Sequence, residues 1–310
     1  MVKKKFRIKT LAHLDSELIG LLEQQLLLIS QICMTEPDSH GKSVHRIRRS
    51  FKKSRAILRL LRDAIGYAAY YRENRALRDL HRKFSAARES NVLIHTLNDL
   101  RKNYPDLLGD EWYTKVIANA KEQHEAQLRA IHESATLKVT RENVEKSMVR
   151  IEQYRAKREG FDVIEGGLNR IYRQGQTLAH KAHTNNGDVT LLHNFRKRSK
   201  YLQYQVTMLR PLYPVLLKAT AKSLRQLTDT LGYYNDYHLA KEKIPAMIRN
   251  TSSALKKPEL LFNKLTEEQQ DMLKEIRPLA YKLYAEPADQ FTGRIRTYWE
   301  EHMRHAFESY

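Results

Sequence analysis

The sequence predicts an all-α protein of long helices, with one helical unit present twice. Three observations carry this. Eleven Gly and eight Pro among 310 residues make up about 6%, against roughly 12% in an average protein, so turns are few. Apolar residues recur at helical spacing along almost the whole chain, as in Leu11, Leu14, Leu18, Leu21, Leu22, Leu26 and Ile29, and no convincing two-residue alternation marks a strand. A segment from His45, HRIRRSFKKSRAI, aligns with HNFRKRSKYLQYQ from His193.

Apolar spacing and helix punctuation place the elements in order. The first half gives helices over 11–34, 42–66, 73–102, 111–136 and 141–158. The second half gives 161–184, 189–210, 215–249, 259–284 and 288–307. Asp38-Ser39-His40-Gly41 is a loop ahead of the second helix, and Asn103-Tyr104-Pro105 closes the third. Asn185-Asn186-Gly187-Asp188 is a turn with Asp188 as N-cap. Pro211, Pro214, Pro245, Pro258 and Pro287 mark further ends. Helices of this length must pack as bundles.

The repeat has two separate anchors. With the histidines aligned, Ile47 meets Phe195, Arg48 meets Arg196, Arg49 meets Lys197 and Lys52 meets Lys200, at an offset of 148. Further on, LHRKFSAARESNVL (80–93) aligns with LTDTLGYYNDYHLA (227–240) at an offset of 147. There Leu80 meets Leu227, Phe84 meets Leu231, Arg88 meets Asn235 and Glu89 meets Asp236. One chain-long domain thus divides into a first bundle over 10–158 and a second over 159–308.

Composition narrows the partner. Apolar residues are 41% of the chain, enough for a core. The net charge is +19, which points to a polyanion: nucleic acid, an anionic membrane or polyphosphate. A single cysteine, Cys33, allows no intramolecular disulfide, fits a reducing compartment, and leaves no Cys-based zinc or Fe–S site. The longest uninterrupted apolar run, Leu26 to Ile29, is too short to span a bilayer, and no apolar signal core follows Lys3, Lys4 and Lys5. A cytoplasmic protein is expected.

The charge is concentrated. Between Asp38 and Asp63 there are nine Lys/Arg and no acid. At 100° per residue, His45, Arg48, Lys52, Arg55, Arg59 and Arg62 share one sector, widened by Arg46, Arg49 and Lys53, while Ile47, Phe51, Leu58 and Leu61 oppose it. Between Asp188 and Asp229 there are eight Lys/Arg and no acid. His193, Arg196, Lys200 and Tyr204 form the second stripe, opposed by Leu192, Phe195, Leu202, Val206 and Leu209. A solvated face normally mixes signs, because like charges at i,i+4 each cost about 0.2–0.5 kcal/mol. Two acid-free stripes at repeat-related positions predict an anion. From its histidine onward each stripe predicts a track of roughly 25 Å.

These residues resemble the CHAD domain, the conserved-histidine α-helical domain. Its pattern is His-x-x-Arg-Lys/Arg-x-x-Lys on a helix in each half, followed by Leu-Gly-x-x-Arg/Asn-Asp. The first copy supplies His45, Arg48, Arg49, Lys52, Lys53 and Arg55. The second supplies His193, Arg196, Lys197, Lys200 and Tyr204, then Leu231-Gly232-Tyr233-Tyr234-Asn235-Asp236. GLNRIYRQGQ (167–176) resembles the start of the family's second half, and the resemblance covers about 10–308, with no CYTH triphosphatase-like domain ahead of it. Ser85, Glu89, Asn91 and Gln203 depart from the pattern.

The resemblance implies two pseudo-symmetric four-helix bundles around a basic central groove or pore. It also implies non-catalytic binding of inorganic polyphosphate, a regular line of anionic oxygens without bases, in the cytoplasm or on polyphosphate granules. The implied binding residues are His45, Arg48, Arg49, Lys52, Lys53, Arg55, Arg59, His193, Arg196, Lys197, Lys200 and Tyr204, with Lys83, Arg88, Arg173 and Asn235 beside them. His45 and His193 would donate to phosphate; the plainer reading of each is an interhelical structural histidine.

Rival readings are weaker. There is no Walker A loop, HExxH or Glu-x-x-His signature, so no enzyme, metal site or cofactor is expected. His180-x-x-His183 and His302-x-x-His305 read as surface or packing residues, and Asp236 as an arginine partner. A basic helical protein with 17 Tyr could instead bind nucleic acid nonspecifically, though no helix-turn-helix, zinc finger, RRM or KH signature is present. A granule-associated scaffold is the third reading.

Overall fold

The computed structural model describes residues 6–35, 41–184, 187–249 and 258–308. Among them are thirteen α-helices, one 3-10 turn and no strand. The first half runs α1 (Leu14–Met34), α2 (Lys42–Leu60), α3 (Arg62–Ile65), α4 (Tyr67–Arg82), α5 (Ser85–Asn103), α6 (Pro105–Leu108), α7 (Asp110–Glu133) and α8 (Thr136–Glu152). The second runs α9 (Asp162–Thr184), α10 (Val189–Met208), α11 (Pro214–Arg249), α12 (Pro258–Leu283) and α13 (Ala288–Glu308).

The packing follows the apolar stripes. α1, α2, α4 and α8 pack in a ring, and α9, α10, α11 and α12 in another, with α13 laid against α9. The two rings do not keep separate cores. One apolar cluster runs from Leu18, Ile47 and Phe51 through Leu168 and Phe195 to Leu231 and Ile276. A second cluster joins Leu97 and Trp112 of the first half to Ile244 and Leu261 of the second. The junction is also hydrogen-bonded: Gln205 Nε2 donates to the Ala56 carbonyl at 3.2 Å, in the buried crossing of α10 over α2. At Gly167 on α9 an added Cβ would lie 2.3 Å from the Leu60 carbonyl oxygen, so only glycine lets α9 approach the end of α2.

Several boundaries differ from the sequence reading. The expected helix over 73–102 is two helices, broken at Lys83 and Phe84. Phe84 leaves the helical path with its side chain fully buried near Phe51, their rings 6.5 Å apart. The helix expected over 42–66 stops at Leu60, and Gly66, at φ +85°, turns the chain into α4. Pro245, where the sequence predicts a helix end, lies inside α11. Asp188 does cap α10, accepting from the Leu191 amide at 3.1 Å. Asp38, Ser39, His40, Asn185 and Asn186, placed in loops by sequence, lie outside the described residues.

α1 has the length and hydropathy of a membrane span, at 21 residues and mean hydropathy 1.2. Its apolar stripe is nevertheless buried between α2 and α8, which makes it a core helix.

Candidate functional site

The crossing of α2 and α10 leaves a cleft of about 530 Å³ walled on its third side by α11. Eleven Lys/Arg and one carboxylate, Asp229, line it. The apolar faces of α2 and α10 are committed to the shared core, so their opposite, charged faces must converge beside the crossing. Among the described residues only Lys200 of these eleven has a carboxylate within 4 Å, Asp229 at 3.7 Å.

Of the twelve implied binding residues, eight line the cleft: His45, Arg48, Arg49, Lys52, Lys53, Arg196, Lys200 and Tyr204. The two histidine helices use their arginines alike. Arg48 Nη1 donates to the His81 carbonyl at 3.2 Å and to Ser85 Oγ at 3.1 Å. Arg196 Nε donates to the Thr228 carbonyl at 3.1 Å. Donors and acceptors stand at the 148 and 147 offsets of the sequence alignment. His45 lies beside Arg88, and His193 beside Asn235, the residues the alignment also pairs.

Crowding shows in the acid–base properties. Lys52 is pushed down to about 7 by burial, and then by Arg196, Arg48, Arg88 and Lys200 around it. Burial and Arg49 push Lys53 down to about 8; its ammonium sits 4.2 Å from the Phe6 ring centroid. Burial takes Lys200 to about 8 although Asp229 pulls it up. Arg48 falls to about 10 through burial and Arg88. His45 and His193 are both lowered, by burial first and then by neighbouring cations, so each is neutral at pH 7 and offers an N–H donor.

His193 lies outside the cleft lining, and Arg55, Arg59 and Lys197 are not cleft residues either. Past the crossing these three cations turn toward α4: Arg55 Nε and Arg59 Nη1 both donate to Asn74 Oδ1, at 3.1 and 2.8 Å. The expected 25 Å track therefore shortens on α2 to the span from His45 to Lys53, roughly 12 Å at 1.5 Å per residue. Arg173 faces a separate hollow between α9 and α13, and exposed Lys83 caps α4 away from the cleft lining. Arg88 is central instead, lining both the cleft and an adjoining pocket that also holds His95, Asp99 and Asp236. Asp236 shares that pocket with Arg88 and Arg196. Burial raises its carboxyl, opposed by Arg196, Arg88 and Lys52.

The CHAD domain family model matches residues 26–245. The chain belongs to the CHAD domain family. The crystal structure of the CHAD domain from the plant Ricinus communis superposes with a TM-score of 0.64, covering 90% of this chain and 97% of that chain at 17% identity. At that identity the likeness shows the shared all-α fold. No curated protein matches.

The CHAD motif accounts for one wall of the cleft from each half, but Arg210, Lys218, Lys222 and Arg225 complete it from outside the motif. Their signal was present in the sequence. They belong to the acid-free run before Asp229, and Lys218, Lys222 and Arg225 recur at i, i+4 and i+7. Gln203, where the CHAD pattern usually has arginine, also lines the cleft and accepts from Thr228 Oγ1 at 3.4 Å.

Proposed function

We propose that this CHAD domain binds inorganic polyphosphate in the cleft between α2, α10 and α11, without turning it over. The observation that carries this reading is eleven cationic side chains and one carboxylate around a single cleft. Such a cluster is self-repelling until a polyanion fills it; burial first, and then the neighbouring cations, hold Lys52, Lys53 and Lys200 below the ordinary lysine value. Arginines already fixed by backbone carbonyls present their remaining N–H groups to phosphate oxygens with little further ordering. Both rings in the cleft wall are already engaged: Tyr204 is buried and edge-on to Phe6 at 6.0 Å, and the Lys53 ammonium lies 4.2 Å from the Phe6 centroid. Among the described cleft residues the lone carboxylate, Asp229, faces Lys200 at 3.7 Å. The protein is then a holder of polyphosphate where that polymer accumulates, in the cytoplasm or at granules.

The test is a binding series over polyphosphate lengths, with pyrophosphate and DNA as controls. Affinity should rise with chain length as one chain comes to touch α2, α10 and α11 together, then level off. It should exceed that for duplex DNA at equal phosphate concentration. With Mg²⁺ or Mn²⁺ supplied, phosphate release should not exceed a protein-free blank. A length-independent affinity, or measurable hydrolysis, overturns the reading.

A further inference from the structure

The three cations that turn away from the cleft do not stand alone. On the α4 side of the crossing, the Arg59 guanidinium lies 4.1 Å from the centroid of the Tyr201 ring, and Arg55 lies 6.0 Å from it. Arg198 sits beside Arg59, Tyr201 and Tyr70, and Lys197 beside Tyr201, Arg198 and Arg55. Tyr70 carries the surface onward to Arg62, which lies 5.5 Å from its ring and 5.0 Å from that of Tyr67. Tyr67 and Tyr71 then pair one helical turn apart, 5.9 Å between centroids and inclined at 32°. They are 60% and 50% exposed.

The nearby acids are already taken. Asp63 is held by Arg170 at 2.9 Å with Arg62 at 3.9 Å, and Asp79 is shared by Arg75, Arg78 and Arg82. Among the described residues no carboxylate lies within 4 Å of Arg55, Arg59, Lys197 or Arg198. The surface is therefore cationic and carries rings open to solvent at Tyr67 and Tyr71, whereas Tyr204 of the cleft is buried.

We propose that this face is a second binding surface, for single-stranded nucleic acid. A polyphosphate has no planar group to stack, so it would use the hydroxyl of an exposed tyrosine but not its ring. An unpaired base can stack on a ring while its phosphates meet the arginines. A duplex hides its base faces and would use the cations only. Arg55 and Arg59 each give one N–H group to Asn74 and retain others for phosphate oxygens. The surface is separate from the cleft, and its failure would leave the polyphosphate reading standing.

The test uses the full chain and titrates a fluorescent 20-mer of deoxythymidine, the matching duplex, long-chain polyphosphate, and vesicles with anionic lipid. The 20-mer should bind more tightly than the duplex at equal phosphate. Tyr67→Ser/Tyr71→Ser should weaken 20-mer binding by about tenfold or more and leave polyphosphate within about twofold. Tyr67→Phe/Tyr71→Phe, which keeps the rings, should retain it. Tyr71→Ser alone gives a smaller loss and serves as the readout if the double variant melts early. Unchanged 20-mer binding in the serine variants, equal binding of the duplex, an equal loss for polyphosphate, or binding of the vesicles with none of the 20-mer would each overturn the proposal.

Discussion

Raising the pH from 6.5 to 8.5 should weaken polyphosphate binding by about two orders of magnitude at constant ionic strength. In the free protein Lys52 titrates at about 7, and Lys53 and Lys200 at about 8. A bound polyanion restores their positive charge, so binding takes up protons wherever the free lysines have lost them. Each lysine lowers the affinity by a factor of about 1 + 10^(pH − pKa), and the three factors multiply to roughly 10² or more across this window. Near pH 8.5 about 2.5 protons should enter per complex. His45, His193 and His81 are all held below their ordinary value and do not set this slope.

The sign for stability is opposite. Above about pH 7 the unfolded chain binds more protons than the folded one at Lys52, because its lysine titrates near 10.5. Unfolding free energy of the ligand-free protein should therefore rise with pH from about 7 toward 10.5. Calorimetry in two buffers of different ionisation enthalpy counts the protons taken up, and urea melts at pH 6.5 and 8.5 give the stability arm. Lys52→Gln should flatten both dependences. Affinities within twofold of each other at pH 6.5 and 8.5, or proton release on binding, would refute the reasoning.

Three further outcomes are expected. The logarithm of polyphosphate affinity should fall against log salt with a slope steeper than about −4, since roughly half of the eleven cleft cations engaged would each release part of a counterion; fluorescence titration from 50 to 400 mM salt reads it. Glu73→Ala should destabilise by about 2–3 kcal/mol in urea melts. Glu73 is fully buried and accepts from Arg150 at 2.7 and 2.9 Å, from Arg72 at 2.9 Å and from Tyr154 at 3.1 Å, yet the two arginines left behind can reach water. Gly167→Ala should cost about 2 kcal/mol or more, because its Cβ would meet the backbone of Leu60 and Arg59 rather than a movable side chain; a melting temperature equal to the parent's would show that α9 can shift away freely.

That the chain is helical, that its two halves carry matched basic helices, and that those helices divide into an apolar and a cationic face is legible in the residues alone. These follow from local rules. A 3.6-residue period places Ile47 and Phe51 opposite Arg48 and Lys52 whatever the helix later packs against. The break at Phe84 was not legible, since Lys83-Phe84-Ser85 contains no Gly or Pro and the turn exists to bury that ring. Nor was the division of the α2 stripe. Arg48, Lys52, Arg55 and Arg59 share one helical sector, and a projection treats them as one track. Only the crossing of α10 over α2 sends the first two into the cleft with α11 and the last two toward Asn74 and Tyr201. Periodicity sets which face of a helix is polar. What stands opposite that face, and so whether a cation meets another cation, an amide or a tyrosine ring, depends on contacts between residues 15 to 144 positions apart, from Arg59 with Asn74 to Lys52 beside Arg196, which arise only when the helices pack.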